Sequence, residues 1–345
     1  ARGACCMSQV FLCGYYGYGN TGDEALLATL LEQLPRHVSP VVLSGNPRAT
    51  ADRYGVATCD RRQWQTVLRT LQQSHAFIWG GGSLIQDVTS WRSPLYYLGL
   101  MTLAQRFGCR TIAWAQGIGP LRSPLYRWWT RELLRRCVAV TVRDSGSAAL
   151  LRQWGIPHQQ GADPVWLMSA RPGLPPQDRA PIAVCLRPHR HLTSDRWQLL
   201  KMALRRWQEE TGVLLLLLPF QRQQDLPLAE DLYGALLPDQ TQLISCEDPR
   251  EMKGILAATA GAIAMRLHAL IMAASVGCRC FALSYDPKVR YLMADTGMAG
   301  VELAALPPDP TALIHQWQHT FSAPVPSYQA YLQSAAVHKA VLNLL

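Results

Sequence analysis

Five cationic side chains stand where segments predicted to be strands come to an end. They are Arg143 in TVRDS, Arg187 in CLRPH, Arg266 and His268 in MRLH, and Lys288 in YDPKV. In open α/β sheets, ligands bind beyond the carboxyl ends of the strands, so these positions are expected to face a ligand. Several cations at such an edge suit a small, highly charged anion. A lone histidine is more often structural, but Arg266 and His268 together at a strand-to-helix junction favour groups that face the ligand.

A glycine-rich segment, GYYGYGNTGDEALL at residues 14–27, joins the first predicted strand to a helix. Its glycines let the backbone approach a ligand, and the helix N-terminus offers free N–H groups. The spacing fits neither a dinucleotide fingerprint nor a Walker A loop. Two interpretations of its polar residues stay open. Asp23 and Glu24 cap the helix, or Asn20 and Asp23 meet substrate hydroxyls or a catalytic proton.

A second such segment, WGGGSLIQD at residues 79–87, places Gly80, Gly81 and Gly82 directly after a strand. Three consecutive glycines are costly in chain entropy, which indicates that a ligand or a facing backbone comes close. A tight turn is the alternative. Ser83 and Gln86 add polar groups, and we predict that they contact substrate together with the glycines. WAQGIGPL at residues 114–121 follows another strand in the same way.

Short apolar runs and longer amphipathic ones alternate along the chain. The predicted strands of the first half are residues 10–13, 40–43, 76–79, 111–114 and 138–142, and its helices are 23–33, 62–73, 94–107, 125–136 and 145–154. The second half has predicted strands at 182–186, 213–218, 242–245, 261–264 and 279–283, and helices at 195–210, 249–258, 267–276 and 288–295. This alternation predicts an α/β protein with two Rossmann-like domains that face each other across a cleft. The predicted boundaries are an N-terminal domain at 1–170, a proline-rich linker at 171–181, a C-terminal domain at 182–308 and a helical tail at 309–345.

The composition of the 345 residues limits the class of protein. With 49% apolar and 17% charged residues, the chain is globular. A net charge of +9 favours anionic partners. No nucleic-acid signature is visible, and the paired arginines, such as Arg61 and Arg62, are expected on solvated helix faces. Ten cysteines show no zinc spacing, so no metal site is expected. Without a signal peptide or a spanning stretch, the predicted location is the cytoplasm, with peripheral contact at the inner face of the membrane left open.

Seven stretches, in order along the chain, resemble the polysaccharide pyruvyl transferase family and closely its CsaB-type branch. They are GYYGYGNTGDEA, WGGGSLIQDVTS, WAQGIGPL, TVRDS, GADP (161–164), MRLHALIMAASVG and YDPKV. The resemblance runs from about residue 10 to residue 295. It implies a GT-B-like fold and transfer of pyruvate from phosphoenolpyruvate onto two hydroxyls of a sugar, which forms a cyclic ketal and releases phosphate.

The resemblance also implies roles for single residues. His268 is the expected general acid toward C3 of phosphoenolpyruvate, and Arg143, Arg266 and Lys288 form the expected anion clamp. Asp23 is the expected base toward the sugar hydroxyl. The implied partners are phosphoenolpyruvate and a free or lipid-linked saccharide, with no nucleic acid, and neither a metal nor an organic cofactor is required.

Two other functions are considered beside this one. A GT-B glycosyltransferase with a nucleotide-sugar donor needs a carboxylate that holds the ribose, and Glu247 follows a predicted strand. A non-enzymatic polysaccharide-binding protein needs exposed aromatic platforms, for which Trp91, Trp128 and Trp129 are the candidates. For Trp128 and Trp129, neighbours on one helix, a core position and a surface position is the simpler interpretation.

Overall fold

The computed structural model describes residues 8–87, 92–175 and 178–345. The chain divides into two compact units, each built on its own parallel sheet. Unit 1 contains the described residues up to Tyr18, Asp23–Met168 and Gln329–Leu345. Unit 2 contains Gly19–Gly22 and Ser169–Tyr328. The division differs from the predicted one because four residues of the first glycine-rich segment belong to unit 2, and the last helices return to unit 1.

Unit 1 is a parallel sheet with helices packed against it. Its strands are β1 (Ser8–Cys13), β2 (Val38–Ser44), β3 (Ala57–Asp60), β4 (Ala76–Trp79), β5 (Gly82–Ile85), β6 (Arg110–Ile118), β7 (Ala139–Val142) and β8 (Gln159–Gln160). The order across the sheet is β3-β2-β1-β4-β6-β7-β8, with β5 also paired to β6. The central strands β1 and β4 are apolar and largely buried on both faces, as strands of a covered parallel sheet should be.

The helices of unit 1 connect these strands. They are α1 (Thr21–Gln33), α2 (Pro47–Tyr54), α3 (Trp64–Gln73), α4 (Arg92–Arg106), α5 (Pro124–Arg135) and α6 (Ser145–Gln153). Side-chain oxygens of Asn46, Ser123 and Asp144 accept backbone N–H groups at the starts of α2, α5 and α6. These caps fix where each helix begins, just beyond a strand end.

Unit 2 repeats the architecture with six parallel strands. Its strands are β9 (Ile182–Cys185), β10 (Leu215–Leu217), β11 (Thr241–Leu243), β12 (Gly261–Ala264), β13 (Arg279–Ser284) and β14 (Ala299–Glu302), in the order β11-β10-β9-β12-β13-β14. Its helices are α7 (Ser194–Thr211), α8 (Arg222–Ala235), α9 (Pro249–Ala257), α10 (Leu267–Ser275), α11 (Pro287–Thr296) and α12 (Pro310–Ser322). The apolar run at residues 213–218, predicted as one buried strand, contains the shorter buried strand β10.

The predicted C-terminal tail is divided. Helix α12 packs on α7 and β13 in unit 2, whereas α13 (Gln329–Ala335) and α14 (Val337–Ala340) belong to unit 1. Part of the predicted linker also packs. The N–H of Arg171 donates to the carbonyl of Arg250 at 2.9 Å, and Gly254 lies so close to Arg171 that a Cβ there would overlap its carbonyl.

Candidate functional site

Arg266 in unit 2 is buried and paired with a carboxylate. It follows β12, and its Nε and Nη2 donate to the two oxygens of Asp225 at 2.7 and 2.6 Å. Oδ2 of Asp225 also accepts the N–H groups of Phe220 and Gln221, at 3.1 and 2.9 Å. Two parallel bonds to one carboxylate fix the guanidinium plane and offset its charge. Arg266 was predicted as part of an anion clamp, and the structure shows it holding the loop after β10.

That loop receives the end of the first glycine-rich segment. Both the N–H and the hydroxyl of Thr21 donate to the carbonyl of Phe220. Asn20 forms an antiparallel bridge with Gln221, and its Oδ1 accepts the N–H of Gly22 at 3.1 Å. Asn20, predicted as a substrate ligand, therefore organises the turn that begins α1.

Gly22 and His268 are in direct contact within unit 2. A Cβ built on Gly22 would lie 2.2 Å from Nδ1 of His268, so only glycine leaves room for the ring. His268 lies in the first turn of α10 and is partly exposed. Glycine is thus required here because an imidazole occupies the space that a side chain would take.

Arg187, which follows β9, contacts an aromatic ring instead of a carboxylate. Its guanidinium carbon lies 5.3 Å from the centroid of Tyr285, and Nη1 donates to the phenol oxygen at 3.1 Å. Nε is buried and has no hydrogen-bond partner among the described residues. No carboxylate of the described residues therefore offsets the charge of Arg187, in contrast to that of Arg266.

Two histidines that the sequence analysis missed lie next to Arg187. The ring of His189 lies 4.7 Å from that of Tyr285 and 4.9 Å from that of His191. Burial, together with electrostatic interactions with His191, Arg187 and Arg190, lowers the pKa of His189 below its usual range. The segment RPHRH itself was the available signal, since it places four cationic or titratable groups directly after a strand.

Lys288 lies at the end of β13, in the first turn of α11. It is exposed, and its backbone N–H donates to Oδ1 of Asp286 at 2.8 Å. Asp286 is the N-cap of α11. Arg187, Arg266, His268 and Lys288 therefore follow the neighbouring strands β9, β12 and β13, as predicted for one edge of one sheet.

Arg143 occupies the corresponding edge of unit 1, again with a carboxylate partner. Nη1 lies 2.6 Å from Oδ2 of Asp163, and both side chains are at most 7% exposed. Nη2 lies 3.5 Å from the hydroxyl of Ser83. The GADP motif, to which Asp163 belongs, therefore supplies the counter-charge for the arginine of TVRDS.

The two carboxylates that open α1 differ in environment. Glu24 is buried and accepts the N–H of Gly17 at 2.7 Å and the hydroxyl of Tyr54 at 2.9 Å. It closes the glycine-rich segment onto the helix. Asp23 is half-buried, and its Oδ1 lies 3.5 Å from the position that a Cβ on Gly82 would take. Of the two, Asp23 has the environment of a group that can meet a substrate.

Two of the three glycines after β4 are closely packed against protein groups. A Cβ on Gly80 would lie 1.8 Å from Oη of Tyr16, and one on Gly81 would lie 2.9 Å from Cδ2 of Leu26. Gly82 begins strand β5 with a φ of +127°, which other residues rarely adopt. The expected close approach is therefore real at Gly80 and Gly81, but it is made by Tyr16 and Leu26.

Two polar residues, Gln86 and Asp87, directly follow β5. Asp87 accepts the N–H groups of Arg122 and Ser123, at 2.7–2.9 Å, and so fixes the turn before α5. These bonds hold the pKa of Asp87 below its usual range despite an opposing contribution from desolvation. Gln86, predicted as a substrate ligand, is partly exposed beside it. Val88, Thr89 and Ser90 of the same motif lie outside the described residues.

A buried histidine from the C-terminal segment supports this edge of unit 1. Nε2 of His338 donates to the carbonyl of Ala162 at 2.8 Å, and Nδ1 lies 2.9 Å from the hydroxyl of Thr141. That hydroxyl accepts the N–H of Ala115 at 2.7 Å, so it is free to donate to Nδ1. The network joins WAQGIGPL, the end of β7 and the GADP motif. Burial lowers the pKa of His338 to about 4.

Three of the four residues named for the two other functions lie in the described ranges. Glu247 is 58% exposed and lies 3.7 Å from Arg222. Trp128 is exposed on α5, whereas Trp129 packs against the core and donates Nε1 to Thr102 at 3.0 Å. Trp91 lies outside the described residues. Within the described ranges, no cluster of three His, Cys, Asp or Glu side chains could hold a metal ion. None of the helices in those ranges combines the length and apolar character of a membrane span.

The sequence model of the polysaccharide pyruvyl transferase family matches residues 20–287. This range contains Asn20, Arg143, Arg266 and His268 and covers most of the chain, which therefore belongs to that family. No curated protein is found to match the sequence.

Solved structures of other enzymes share the fold. A putative UDP-N-acetylglucosamine 2-epimerase from Listeria monocytogenes superposes with a TM-score of 0.67 at 10% identity, covering 97% of this chain and 91% of that one. The UDP-GlcNAc 2-epimerase of Methanocaldococcus jannaschii gives 0.65 at 9% identity, with 98% and 99% covered. The calicheamicin glycosyltransferase CalG4 gives 0.51 at 10% identity, with 98% and 94% covered. Identities this low show the fold alone, which is the predicted GT-B-like pair of parallel α/β domains.

Proposed function

We propose that this member of the polysaccharide pyruvyl transferase family transfers pyruvate from phosphoenolpyruvate to two hydroxyls of one sugar. The sugar belongs to a cell-wall or extracellular polysaccharide, or to its lipid-linked precursor. The products are a cyclic ketal and inorganic phosphate. The observation that carries the proposal is His268, held against Gly22 at the start of α10, at the sheet edge where Arg187, Arg266 and Lys288 follow β9, β12 and β13. The motif stretches support assignment to the CsaB-type branch.

The chemistry requires a proton donor before anything else. C2 of phosphoenolpyruvate becomes electrophilic when C3 accepts a proton. We propose that His268 donates this proton. The first sugar hydroxyl then bonds to C2 and gives up its proton, for which Asp23 is the proposed base. Loss of phosphate from C2 leaves an oxocarbenium ion, and the second hydroxyl closes the ketal as its own proton departs. No electrons are exchanged, so these steps require no redox cofactor. We propose that cationic side chains, without a metal ion or an organic cofactor, hold phosphoenolpyruvate.

We assign different roles to the four cations on the basis of their contacts. Arg143 and Arg266 each share their charge with a buried carboxylate, so we assign them to orienting substrate through their remaining N–H groups. Arg187 and Lys288 are assigned to attract the phosphate and carboxylate of phosphoenolpyruvate. Arg187 has no carboxylate partner among the described residues, and its buried Nε is available to an anion. Ser83 and Gln86 are proposed to contact the acceptor, and Gly80–Gly82 to shape its surroundings.

A single incubation tests the proposal. The protein is mixed with phosphoenolpyruvate and a panel of free and lipid-linked saccharides, and released phosphate is measured together with the ketal methyl signal in the proton NMR spectrum. We expect both signals in equal amounts with at least one saccharide. Phosphate without ketal would indicate hydrolysis. Thermal stabilisation by uridine or adenine nucleotides, with none by phosphoenolpyruvate, would favour a nucleotide-sugar glycosyltransferase instead.

A lipid-linked acceptor would place the reaction at the inner face of the membrane, which agrees with the net charge of +9. Vesicle flotation with anionic and with neutral lipids measures this. Binding only to the anionic vesicles is expected.

A further inference from the structure

Arg61 lies among tyrosine rings at the sheet edge of unit 1. It follows β3 and precedes α3, which begins at Trp64, so the expected position on a solvated helix face is wrong. Its guanidinium carbon lies 4.6 Å from the ring centroid of Tyr96, 5.4 Å from that of Tyr18 and 5.8 Å from that of Tyr97. The guanidinium is thus held by aromatic faces, an arrangement that is attractive but leaves the positive charge in place.

No carboxylate pairs with Arg61 anywhere in the described part of the chain. Asp60, next to it in sequence, binds Arg62 instead, with both of its oxygens at 3.2 Å from that guanidinium. Burial raises the pKa of Tyr96 to about 12 and that of Tyr97 still further, so neither phenol supplies a negative charge. Arg143 and Arg266, by contrast, each have a buried carboxylate. A partly buried cation without a counter-charge is costly unless a ligand supplies the anion.

An aromatic surface adjoins this cation. Tyr15 and Tyr18 stack with their centroids 4.4 Å apart and their planes 16° from parallel, and they are 41% and 38% exposed. Tyr18 lies against Gly45, where a Cβ would come within 2.7 Å of its ring. Held in this way, the stacked pair offers a preorganised, partly exposed aromatic surface at little cost in entropy. Such a surface suits the C–H face of a sugar ring.

We propose that Tyr15, Tyr18 and Arg61 form a binding site for an anionic saccharide, whose sugar ring stacks on the tyrosines while its carboxylate or phosphate meets the guanidinium. The residues follow β1 and β3, which flank β2 at one edge of the same sheet. Resting on the proposed function, this site is the acceptor site, and the acceptor is a charged sugar or a sugar phosphate.

The experiment measures saccharide binding without phosphoenolpyruvate. The probes are glucuronate, glucose 1-phosphate and uncharged methyl glucoside, followed by saturation-transfer NMR and calorimetry. We expect the charged probes to bind at least fivefold more tightly than methyl glucoside and to compete with each other, and the tighter of the two identifies the anion. In Arg61→Met this preference disappears. In Tyr15→Ala all three probes bind about tenfold more weakly. Tyr233→Ala on α8, a tyrosine 38% exposed, is the matched control and should bind like the unaltered protein.

Several outcomes would overturn the proposal. They are equal affinity for charged and uncharged probes, unchanged binding in Tyr15→Ala, or no binding at all. If Arg61→Met fails to fold, the affinities of the unaltered protein for charged and uncharged probes still test the proposal. Raising the salt concentration from about 50 to 500 mM should weaken the binding of the charged probes and leave the binding of methyl glucoside unaffected. Ketal formation by Tyr15→Ala at an unaltered KM for the acceptor would reject the site and leave the proposed function standing. Probe binding without ketal formation from any saccharide would support the site and reject the proposed function.

Discussion

Gly22 lies against the imidazole of His268 so closely that a Cβ would stand 2.2 Å from Nδ1. The two residues come from the first glycine-rich segment and from the MRLH motif, and both belong to unit 2. Asn20 and Thr21 anchor the glycine to the loop after β10, and Asp225 ties that loop to Arg266. The position of the proposed acid therefore depends on a chain of contacts that begins at a glycine.

Gly22→Ala should displace the ring of His268 without unfolding the protein. The added methyl group cannot share space with Nδ1, so the imidazole must rotate, and a misplacement of about 1 Å can cost about 100-fold in rate. We expect kcat for ketal formation to fall by that order while the circular dichroism spectrum is unchanged. Gly234→Ala, at a helical glycine with nothing within 4 Å, is the control. Equal activity of the two variants would show that the contact has no catalytic role.

His268→Ala should separate proton transfer from binding. The loss of a general acid typically costs about 10²- to 10⁴-fold, so we expect kcat to fall by this amount while phosphoenolpyruvate still binds in calorimetry. His268→Gln keeps a hydrogen-bonding side chain but cannot transfer the proton, and it should be equally slow. A raised KM with nearly intact kcat, or rescue by glutamine, would mean that His268 only hydrogen-bonds the substrate.

Asp225→Ala should be strongly destabilising, because it leaves the guanidinium of Arg266 buried without its partner. Breaking one side of a buried pair typically costs about 3–5 kcal/mol. Urea unfolding followed by tryptophan fluorescence measures this. Glu210→Ala breaks the exposed pair with Arg206 and should cost less than about 1 kcal/mol. If both variants lose the same stability, the ion pair between Asp225 and Arg266 does not anchor the loop after β10.

Acid should lower the free energy of unfolding through protonation of His338 in unit 1. Its folded-state pKa is lowered, mainly by burial, from 6.5 to about 4, so folding favours the neutral ring. Stability from this group is complete above pH 6.5 and is lost as the pH falls toward 4. Since one pKa unit corresponds to about 1.4 kcal/mol, the total loss approaches about 3 kcal/mol. The Tm values of the unaltered protein and of His338→Gln should therefore converge as the pH falls. Curves that stay parallel from pH 7.5 to 4.5 would contradict this.

Phosphoenolpyruvate should bind in the presence of a chelator, because the proposed site holds it with cationic side chains. Calorimetry with and without EDTA should give the same Kd. Lys288→Ala should weaken binding by about tenfold or more, since a hydrogen bond to a charged group is worth about 1.5–3 kcal/mol. Binding that disappears on chelation would show that a metal ion is part of the site.

The strands at the centre of each sheet could be predicted from sequence, whereas three of the four edge strands, β3, β8 and β14, could not. Residues 76–79 and 261–264 were predicted to the residue, because each is a wholly buried apolar run bounded by turn residues. The edge strands β3 and β14 are only partly buried, so their residues carry little apolar pattern. Helix α8 was missed because Pro227 lies inside it.

The positions of the site residues followed from sequence more readily than their partners. A cation directly after a strand can be recognised locally, which is how Arg143 and Arg266 were found. Their carboxylates, Asp163 and Asp225, come from other loops, and only the tertiary fold brings them close. For the same reason, the glycines after β4 could be recognised as a place of close approach, but the groups that approach could not be named.

The order in which the chain is made bears on how unit 1 is completed. Translation produces its first eight strands early, but His338, Val341 and Leu342 are synthesised only after all of unit 2. Until then Trp114 lacks the carbonyl of His338 that its indole N–H binds, and Ala162 lacks the imidazole. Until these residues join it, the N-terminal sheet therefore lacks part of the apolar cover of its core.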